Sequence, residues 1–284
     1  MPKLSIIIPA LNEEKGLPLL FESLKKQSFK DYEVIVADSN SKDRTREIAR
    51  EFGATVTDGG LPGVGRNKGA KVAKGKIFLF LDADVVFPRV NFLEKTISEF
   101  EKRKLDIASC LLKPLSKKII DHVFHSIYNV YTYTTQKLVP HIPGFFIYVR
   151  REIHEKINGF DEDLKLAEDH DYARRATKFG KFGFLHSAFM PVSVRRFDRD
   201  GRLSIAAKYL IGEMYLIAHG KIPNGAIEYG FGYDKSQKQD FKSVAMDSYE
   251  SLKKFQKSLD RKLFLKRMKE IGEQLWRSDK YRSK

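Results

Sequence analysis

The chain has 284 residues with 42% hydrophobic content, enough for one large domain or one and a half with a proper core, which excludes global disorder. No window approaches the roughly 18 consecutive apolar residues of a membrane-spanning helix, and the single Cys110 excludes an intrachain disulfide or a cysteine-built metal site. A net charge of +15 points to anionic partners (nucleotides, nucleic acid or an anionic membrane surface) or to a soluble, heat-adapted lysine surface.

The chain opens MPKLSIIIPALNEE. Acids follow its short apolar run at once, where a signal peptide would end in small residues. Leu4 to Pro9 therefore reads as a first buried strand, and a cytoplasmic location is expected. Leu17 to Gln27 has helical spacing at Leu17, Leu20, Phe21 and Leu24. Tyr32 to Ala37 is a second strand, ending at Asp38. Ser41 and Asp43 offer caps for a helix running to about Phe52, which Gly53 closes. Ala54 to Thr57 is a short third strand. Gly59 to Gly69 reads as a glycine-rich loop leading into a helix through Ala73. Ile77 to Leu81 is a strand buried on both faces. Strand and helix alternating in this rhythm imply a parallel sheet.

Further on, the spacing predicts a helix over 91–102 and a strand over 107–112. Ile119 to Val139 is a long segment rich in aromatic and β-branched residues. His141 to Arg151 reads as a loop and then a strand, 167–179 as a helix, and 182–190 as a strand. Arg195 to Arg202 reads as a basic loop. Beyond Ile205 the pattern is helical, apart from a Gly/Tyr-rich piece from Ile222 to Tyr233.

The chemistry concentrates at Ile77 to Asp84, IFLFLDAD. Asp82 and Asp84 fall at the carboxyl end of a buried strand, where open α/β sheets bind ligands. Two carboxylates there call for a compensating cation, donor or proton. A hard divalent cation on a substrate's phosphates is the natural one. Three further segments should converge on the same edge: Pro9-Ala10-Leu11-Asn12-Glu13, Asp38-Ser39-Asn40-Ser41-Lys42-Asp43, and Gly63-Val64-Gly65-Arg66-Asn67-Lys68-Gly69.

This ordered set, together with the later GFDEDLKLAEDHDYARR, closely resembles family 2 glycosyltransferases, the inverting enzymes of the GT-A fold. The resemblance covers roughly residues 4–200. It implies an α/β fold, a Rossmann-like, mixed but mainly parallel sheet flanked by helices. Residues 1–204 would form the catalytic domain, with a nucleotide-sugar half to about 112 and an acceptor half over about 113–204. A helical, basic extension would follow over 205–284.

The resemblance also implies roles. Pro9, Ala10, Asn12, Glu13, Asp38, Gly65, Arg66, Asn67, Asp82 and Ala83 would surround the nucleotide. Asp38 would accept N–H bonds from uracil or guanine. Gly63, Gly65 and Gly69 would let backbone approach the ligand. Arg66 would pair with the diphosphate or pack beside the base, and Asn67 would cap or orient the loop. Asp84 would hold Mg²⁺ or Mn²⁺, with Asp82 on the ribose or the ion's water shell. Asp169 would be the base that deprotonates the acceptor, with Glu168 as the alternate and Asp171 as a structural acid. Gly144 and Phe145 resemble the family's acceptor-side loop. His186 could complete the metal site; His122, His125, His141, His154, His170 and His219 read as surface or core residues.

The expected partners are a UDP- or GDP-linked sugar and an acceptor that is a sugar, a glycolipid or a polyprenyl phosphate. A nucleotidyltransferase would carry a Gly-Thr-Arg loop after the first strand, where this chain has PALNEE. A protein binding nucleic acid through charge alone would leave Asp38, Asp82, Asp84 and Asp169 without a purpose. Processive relatives carry a QxxRW motif and membrane helices; the nearest analogue here is Arg195-Arg196-Phe197, so one sugar per encounter is expected. Arg195, Arg196, Arg199 and Arg202, with Gly201 as hinge, read as a mobile loop closing over the diphosphate or as a basic surface turn. From Phe241 to Lys284 there are thirteen Lys or Arg against six Asp or Glu. Leu252, Phe255, Leu259, Leu263, Met268, Ile271 and Leu275 recur at helical spacing. This tail either lies on an anionic inner membrane face, with Phe124 and 127–133 as aromatic anchors, or packs on the protein.

Overall fold

The computed structural model describes residues 1–137, 139–227 and 241–280, in that last stretch and at Arg196 not always with side chains. In chain order the elements are β1 (Leu4–Ala10), α1 (Leu17–Lys25), β2 (Tyr32–Asp38), α2 (Thr45–Phe52), β3 (Thr55–Asp58), α3 (Pro62–Val72) and β4 (Ile77–Leu81). Then come α4 (Phe92–Lys102), β5 (Ile107–Leu115), α5 (Ile119–Thr135), β6 (Phe146–Arg150), α6 (Arg151–Lys156), α7 (Glu168–Ala176) and β7 (Phe182–Ser193). The last four are α8 (Arg195–Asp200), α9 (Arg202–His219), α10 (Phe241–Ser258) and α11 (Arg261–Lys280).

The seven strands form one mixed sheet in the order β3-β2-β1-β4-β6-β5-β7. β1, β2, β3 and β4 run parallel, and β6 is inserted antiparallel between β4 and β5. Successive strand side chains point to opposite faces, so each central strand feeds two cores. Leu4, Ile6 and Ile8 of β1 and Leu79 and Leu81 of β4 meet Leu20, Leu24, Leu93 and Phe100 of α1 and α4 on one face. Ile7, Phe78 and Phe80 meet Ala70, Ile153, Tyr172 and Ala176 of α3, α6 and α7 on the other. A strand buried on both faces needs an unbroken apolar run, and IFLFL supplies it; each buried aromatic contributes about 1.5–3 kcal/mol.

The main chain departs from the expected pattern in two places. Gly63 to Gly69 is not a loop: α3 begins at Pro62, and those glycines lie within it. Proline is well tolerated at a helix start. A Cβ on Gly65 would stand 3.2 Å from Pro9 Cβ, and one on Gly69 would run into Ile7 Cγ2. The close backbone approach that these glycines allow is therefore to the strands beneath α3. The segment expected as a basic loop at 195–202 is also helical, α8 with Gly201 at φ 82 before α9. Asp198 and Asp200 offset the crowded arginines, pairing with Arg202 at 2.9 Å and Arg199 at 2.5 Å. The Arg196 side chain lies outside the described residues.

The chain divides into two compact units, Met1–Asp163 with Glu168–Ser193, and Leu164–Ala167 with Val194–Lys284. The second has its own core of Ile211, Tyr215, Ala218 and Phe255, with Leu252, Leu259 and Phe264 packed against it. The front half of the tail's stripe is thus buried within that unit. Leu263 and Met268 remain exposed; the side chains of Ile271 and Leu275 lie outside the described residues, as does all of 228–233 in the Gly/Tyr-rich piece.

Candidate active site

Strand order turns back at β1: β2 and β3 extend the sheet on one side, and β4 continues it on the other. Such a reversal opens a crevice at the carboxyl edge. The β1–α1 and β2–α2 connections are laced together beside it. Asn12 N donates to Ser41 Oγ at 2.9 Å, Lys42 N to Asn12 Oδ1 at 2.8 Å, and Glu13 N to Thr45 Oγ1 at 2.8 Å. Asp43 accepts from Thr45 N at 3.0 Å and starts α2. Arg44 is the N-cap of α2 without a side-chain cap bond, so Asp43 holds the first helical N–H from the position before it, while Ser41 joins the loops. Asn12 holds φ 55, a left-handed backbone that asparagine tolerates well.

Asp38 is 1% exposed at the end of β2. Its Oδ1 accepts from Ser41 N at 3.2 Å and lies 3.5 Å from Arg46 Nη1. Its Oδ2 is buried without a hydrogen-bond partner. A buried carboxylate oxygen left this way costs about 1–3 kcal/mol or more unless a donor arrives. A ligand N–H is such a donor.

Across the crevice, one guanidinium organises the acids. Arg66, on α3 and 2% exposed, donates through Nη1 to Glu168 Oε1 at 2.8 Å. Its Nη2 reaches Asp82 Oδ1 at 3.1 Å and the Gly144 carbonyl at 3.0 Å. Its plane lies 5.3 Å from the Phe160 ring centroid. Both Nη groups of Arg66 thus donate to protein acceptors, while its Nε is buried without a hydrogen-bond partner. Phe160 is held in turn by Asn67, which accepts from Phe160 N at 2.8 Å and donates to Phe160 O and Glu162 Oε1, each at 2.9 Å. Asn67 thus fixes the 159–162 turn.

The residues of the HIPGF loop join the same cluster. Phe145 O accepts from Asp82 N at 3.3 Å. A Cβ on Gly144 would stand 3.0 Å from both Arg66 Nη2 and Asp169 Oδ2, so only glycine fits without displacement. Burial pushes the Asp169 carboxyl above the usual aspartate range, against Arg66 and the N–H groups of His170 and Gly144. Burial raises Glu168 as well, helped by the Asp169 charge and opposed by Arg66. Arg66 itself is held charged by Asp82, Glu168 and Asp169 in spite of its burial. Asp171 is the structural acid expected, bonded to Arg174 at 2.9 Å and Arg175 at 2.6 Å.

Asp84 is exposed at the crevice mouth, and Asp82 is half-buried behind it. Glu13 lies nearby: a Cβ on Gly16 would meet Glu13 Oε2, with Ala83 O at 3.3 Å. Among the described residues no three His, Cys, Asp or Glu side chains stand together as a cage. Hard carboxylate oxygens at an open edge suit an ion that takes one or two protein ligands and completes its shell with phosphate and water, as Mg²⁺ does. The donor set fits a divalent cation brought with a phosphorylated ligand. His186 is not brought to Asp84. Leu81 and Leu185 align across the sheet but lie three strands apart, about 14 Å at the usual strand spacing. The His186 ring lies against Tyr133, 3.4 Å from its hydroxyl.

Sequence reasoning missed Phe160, Gly16 and Arg46 as parts of the site. Phe160 had a signal, its place in GFDED. Arg46 had none, being one basic residue among several on an exposed helix. Arg195, Arg199 and Arg202 belong to the second unit.

A profile described as "Glycosyl transferase family 2" matches residues 5–158. An uncharacterised glycosyltransferase of Bacillus subtilis is 30% identical over 188 residues, covering 60% of this chain and 54% of that protein. A 4,4'-diaponeurosporenoate glycosyltransferase of Staphylococcus haemolyticus is 41% identical over 110 residues, 36% of this chain and 29% of that protein. The chain thus spans about half or less of the length of these curated relatives. Among solved structures, a Pyrobaculum calidifontis mannosyltransferase in complex with GDP-Man and Mn²⁺ is similar with TM-score 0.62 and 21% identity, over 75% of this chain and 63% of that one. Staphylococcus aureus TarS 1–349 in complex with UDP gives 0.55 and 22%, over 75% and 65%. At such identities the likeness is one of fold: a mixed sheet flanked by helices, as in GT-A enzymes.

Proposed function

The chain belongs to glycosyl transferase family 2, and from that premise we propose that it moves one sugar from a UDP- or GDP-linked donor to an acceptor oxygen, with inversion. The observation that carries the reading is Asp38: a buried carboxylate oxygen without a partner, at the carboxyl end of β2 beside β1. Uracil and guanine both present N–H groups that satisfy it. The similar structures with UDP and with GDP-Man support either base.

In this reading Asp169 takes the proton of the acceptor hydroxyl. The freed oxygen pair attacks the anomeric carbon, and the bond to the diphosphate oxygen breaks with its electron pair leaving on the diphosphate. Asp84, with Asp82 behind it, would hold Mg²⁺ or Mn²⁺, which supplies Lewis-acid stabilisation of the departing diphosphate. Arg66 holds Glu168 and Asp82 in place, and its carbonyl contact fixes Gly144 against Asp169. Glu168 is engaged by Arg66 and Asp169 is not hydrogen-bonded to it, which favours Asp169 as the base. The acceptor would be a sugar or glycolipid hydroxyl, or a polyprenyl phosphate whose oxyanion would attack with no proton for Asp169 to take, met at the inner face of a membrane in the lipid cases. The exposed tail residues Leu263 and Met268, with their flanking lysines, would add membrane contact.

The test is calorimetric titration of UDP, GDP and their sugars with and without Mn²⁺, on the parent and on Asp38→Ala. Binding of one nucleotide series that Asp38→Ala weakens at least about tenfold is expected. Equal affinities in parent and variant would remove the assignment.

A further inference from the structure

The α5 helix is built with its polarity reversed. Its buried residues are Asp121, His125, Thr132 and Thr135. Its exposed ones include Ile119, Ile120, Val123, Ile127 and Val130, between 44% and 81% exposed. At 100° per residue those five aliphatics fall within one arc of about 100°, with Thr134 inside it and Ser126 at its margin. Leu115, 62% exposed at the end of β5, extends the stripe. Single exposed aliphatics need no explanation, but a contiguous stripe over a polar inner face does.

The inner face is polar because specific partners satisfy it. Asp121 Oδ2 accepts from Ser116 Oγ at 2.6 Å, and His125 Nδ1 lies 2.7 Å from the Asp121 carbonyl. Thr132 and Thr135 donate back to the carbonyls of Tyr128 and Tyr131. Asn129 closes both backbone bonds of Leu112, at 2.9 and 2.8 Å. The Asn129 bonds to Leu112 and the Ser116 bond to Asp121 reach outside α5 and set its rotation, turning its aliphatics outward.

The charge around the stripe identifies what covers it. Lys113, Lys117 and Lys118 are exposed at one end and Lys137 at the other. Asp121 is the sole acid between residues 113 and 137, and it is buried. An apolar stripe with a cationic margin and no exposed acid matches the interfacial plane of an anionic bilayer. Half-buried Tyr128, Tyr131 and Tyr133 flank it, and amphipathic rings favour the headgroup level.

We propose that the outer face of α5 is a docking surface for anionic phospholipid bilayers and sets the candidate base at the lipid interface. A run of ring contacts links the two. Tyr131 on α5 lies 5.5 Å from His141, whose ring is 4.6 Å from His170, the neighbour of Asp169. Resting on the glycosyltransferase reading, this placement selects an acceptor whose hydroxyl or phosphate is carried on a lipid over one free in solution. The docking itself stands on α5 alone.

The experiment is flotation of the full chain with phosphatidylglycerol-containing and with pure phosphatidylcholine vesicles, beside the variant Ile119→Glu/Ile127→Glu. Both positions point to solvent, so the fold should hold, and circular dichroism and donor-nucleotide calorimetry verify this. The parent should float with anionic vesicles, less so with neutral ones or at high salt, and the variant should bind at least about tenfold more weakly. No flotation of the parent, or equal flotation of the variant, overturns the proposal. So does a parent that sediments as a dimer, fails to float, and becomes monomeric in the variant, because the stripe is then an interface between copies. Donor binding reports on the glycosyltransferase reading separately. If it fails while the parent floats and the variant does not, only the acceptor part of the inference falls.

Discussion

Replacing Glu99 by Gln should destabilise the first unit in a manner that depends on pH. Glu99 lies on α4 with a side chain 15% exposed, and it clamps the turn where β7 slips register against β5. Its oxygens accept from His186 N at 2.8 and 3.0 Å, from Ser187 N at 2.7 Å, and from Arg103 at 2.6 Å. Partial burial works against the charge, but the N–H and hydroxyl of Ser187, the N–H of His186 and Arg103 outweigh it and bring the carboxyl from 4.5 down to about 2. That difference corresponds to about 3.4 kcal/mol at full value, and solvent access at the rim reduces it to about 1.5–2 kcal/mol. Because the folded value is the lower one, the contribution is present above the unfolded value and is lost as pH falls toward 2. About one twentieth is gone at pH 5 and about three fifths at pH 3. Glutamine replaces one acceptor by a donor facing an N–H. Thermal unfolding by circular dichroism at pH 7 should show Tm lower by about 4–6 °C in the variant. The gap should shrink to less than half of that between pH 5 and pH 3. A gap that stays constant over this range would mean that the charge plays no part, and no gap at pH 7 would refute the reasoning altogether.

Asp169→Asn keeps the shape of the candidate base and removes its proton affinity, so donor affinity should persist while turnover falls by about 10² or more; steady-state kinetics with separate donor calorimetry checks this. In the parent, activity should rise with pH along a limb lying above the ordinary aspartate range, since burial raises Asp169; a limb at or below that range would count against it as the base. Asp84→Ala should abolish Mn²⁺-dependent nucleotide-diphosphate binding with an unchanged melting curve, and retained binding by calorimetry would remove the metal assignment. Gly144→Ala places a Cβ 3.0 Å from Arg66 Nη2 and Asp169 Oδ2, both ends of flexible side chains. It should fold and bind donor, yet lose about tenfold or more in turnover as Asp169 is displaced.

Short-range pattern was enough to read much of this protein from its sequence. The unbroken run IFLFL could only be a strand covered on both faces, and its aspartates had to emerge at the sheet edge. The same logic placed Asp38 there, because side-chain period and strand length are local properties of the chain. Other features depended on what lies beside a residue in space. The glycines of 63–69 read as a ligand loop until β1 and β2 appeared beneath α3 and required a helix without side chains on that face. Arg66 gave no local sign that its Nη1 would donate to Glu168, about a hundred positions away. The outward turn of α5 was the most hidden: residues 119–135 look merely aromatic and β-branched in sequence. Only packing of Asn129 and Asp121 against β5 and its following turn decides that the polar side faces in and the aliphatics face out.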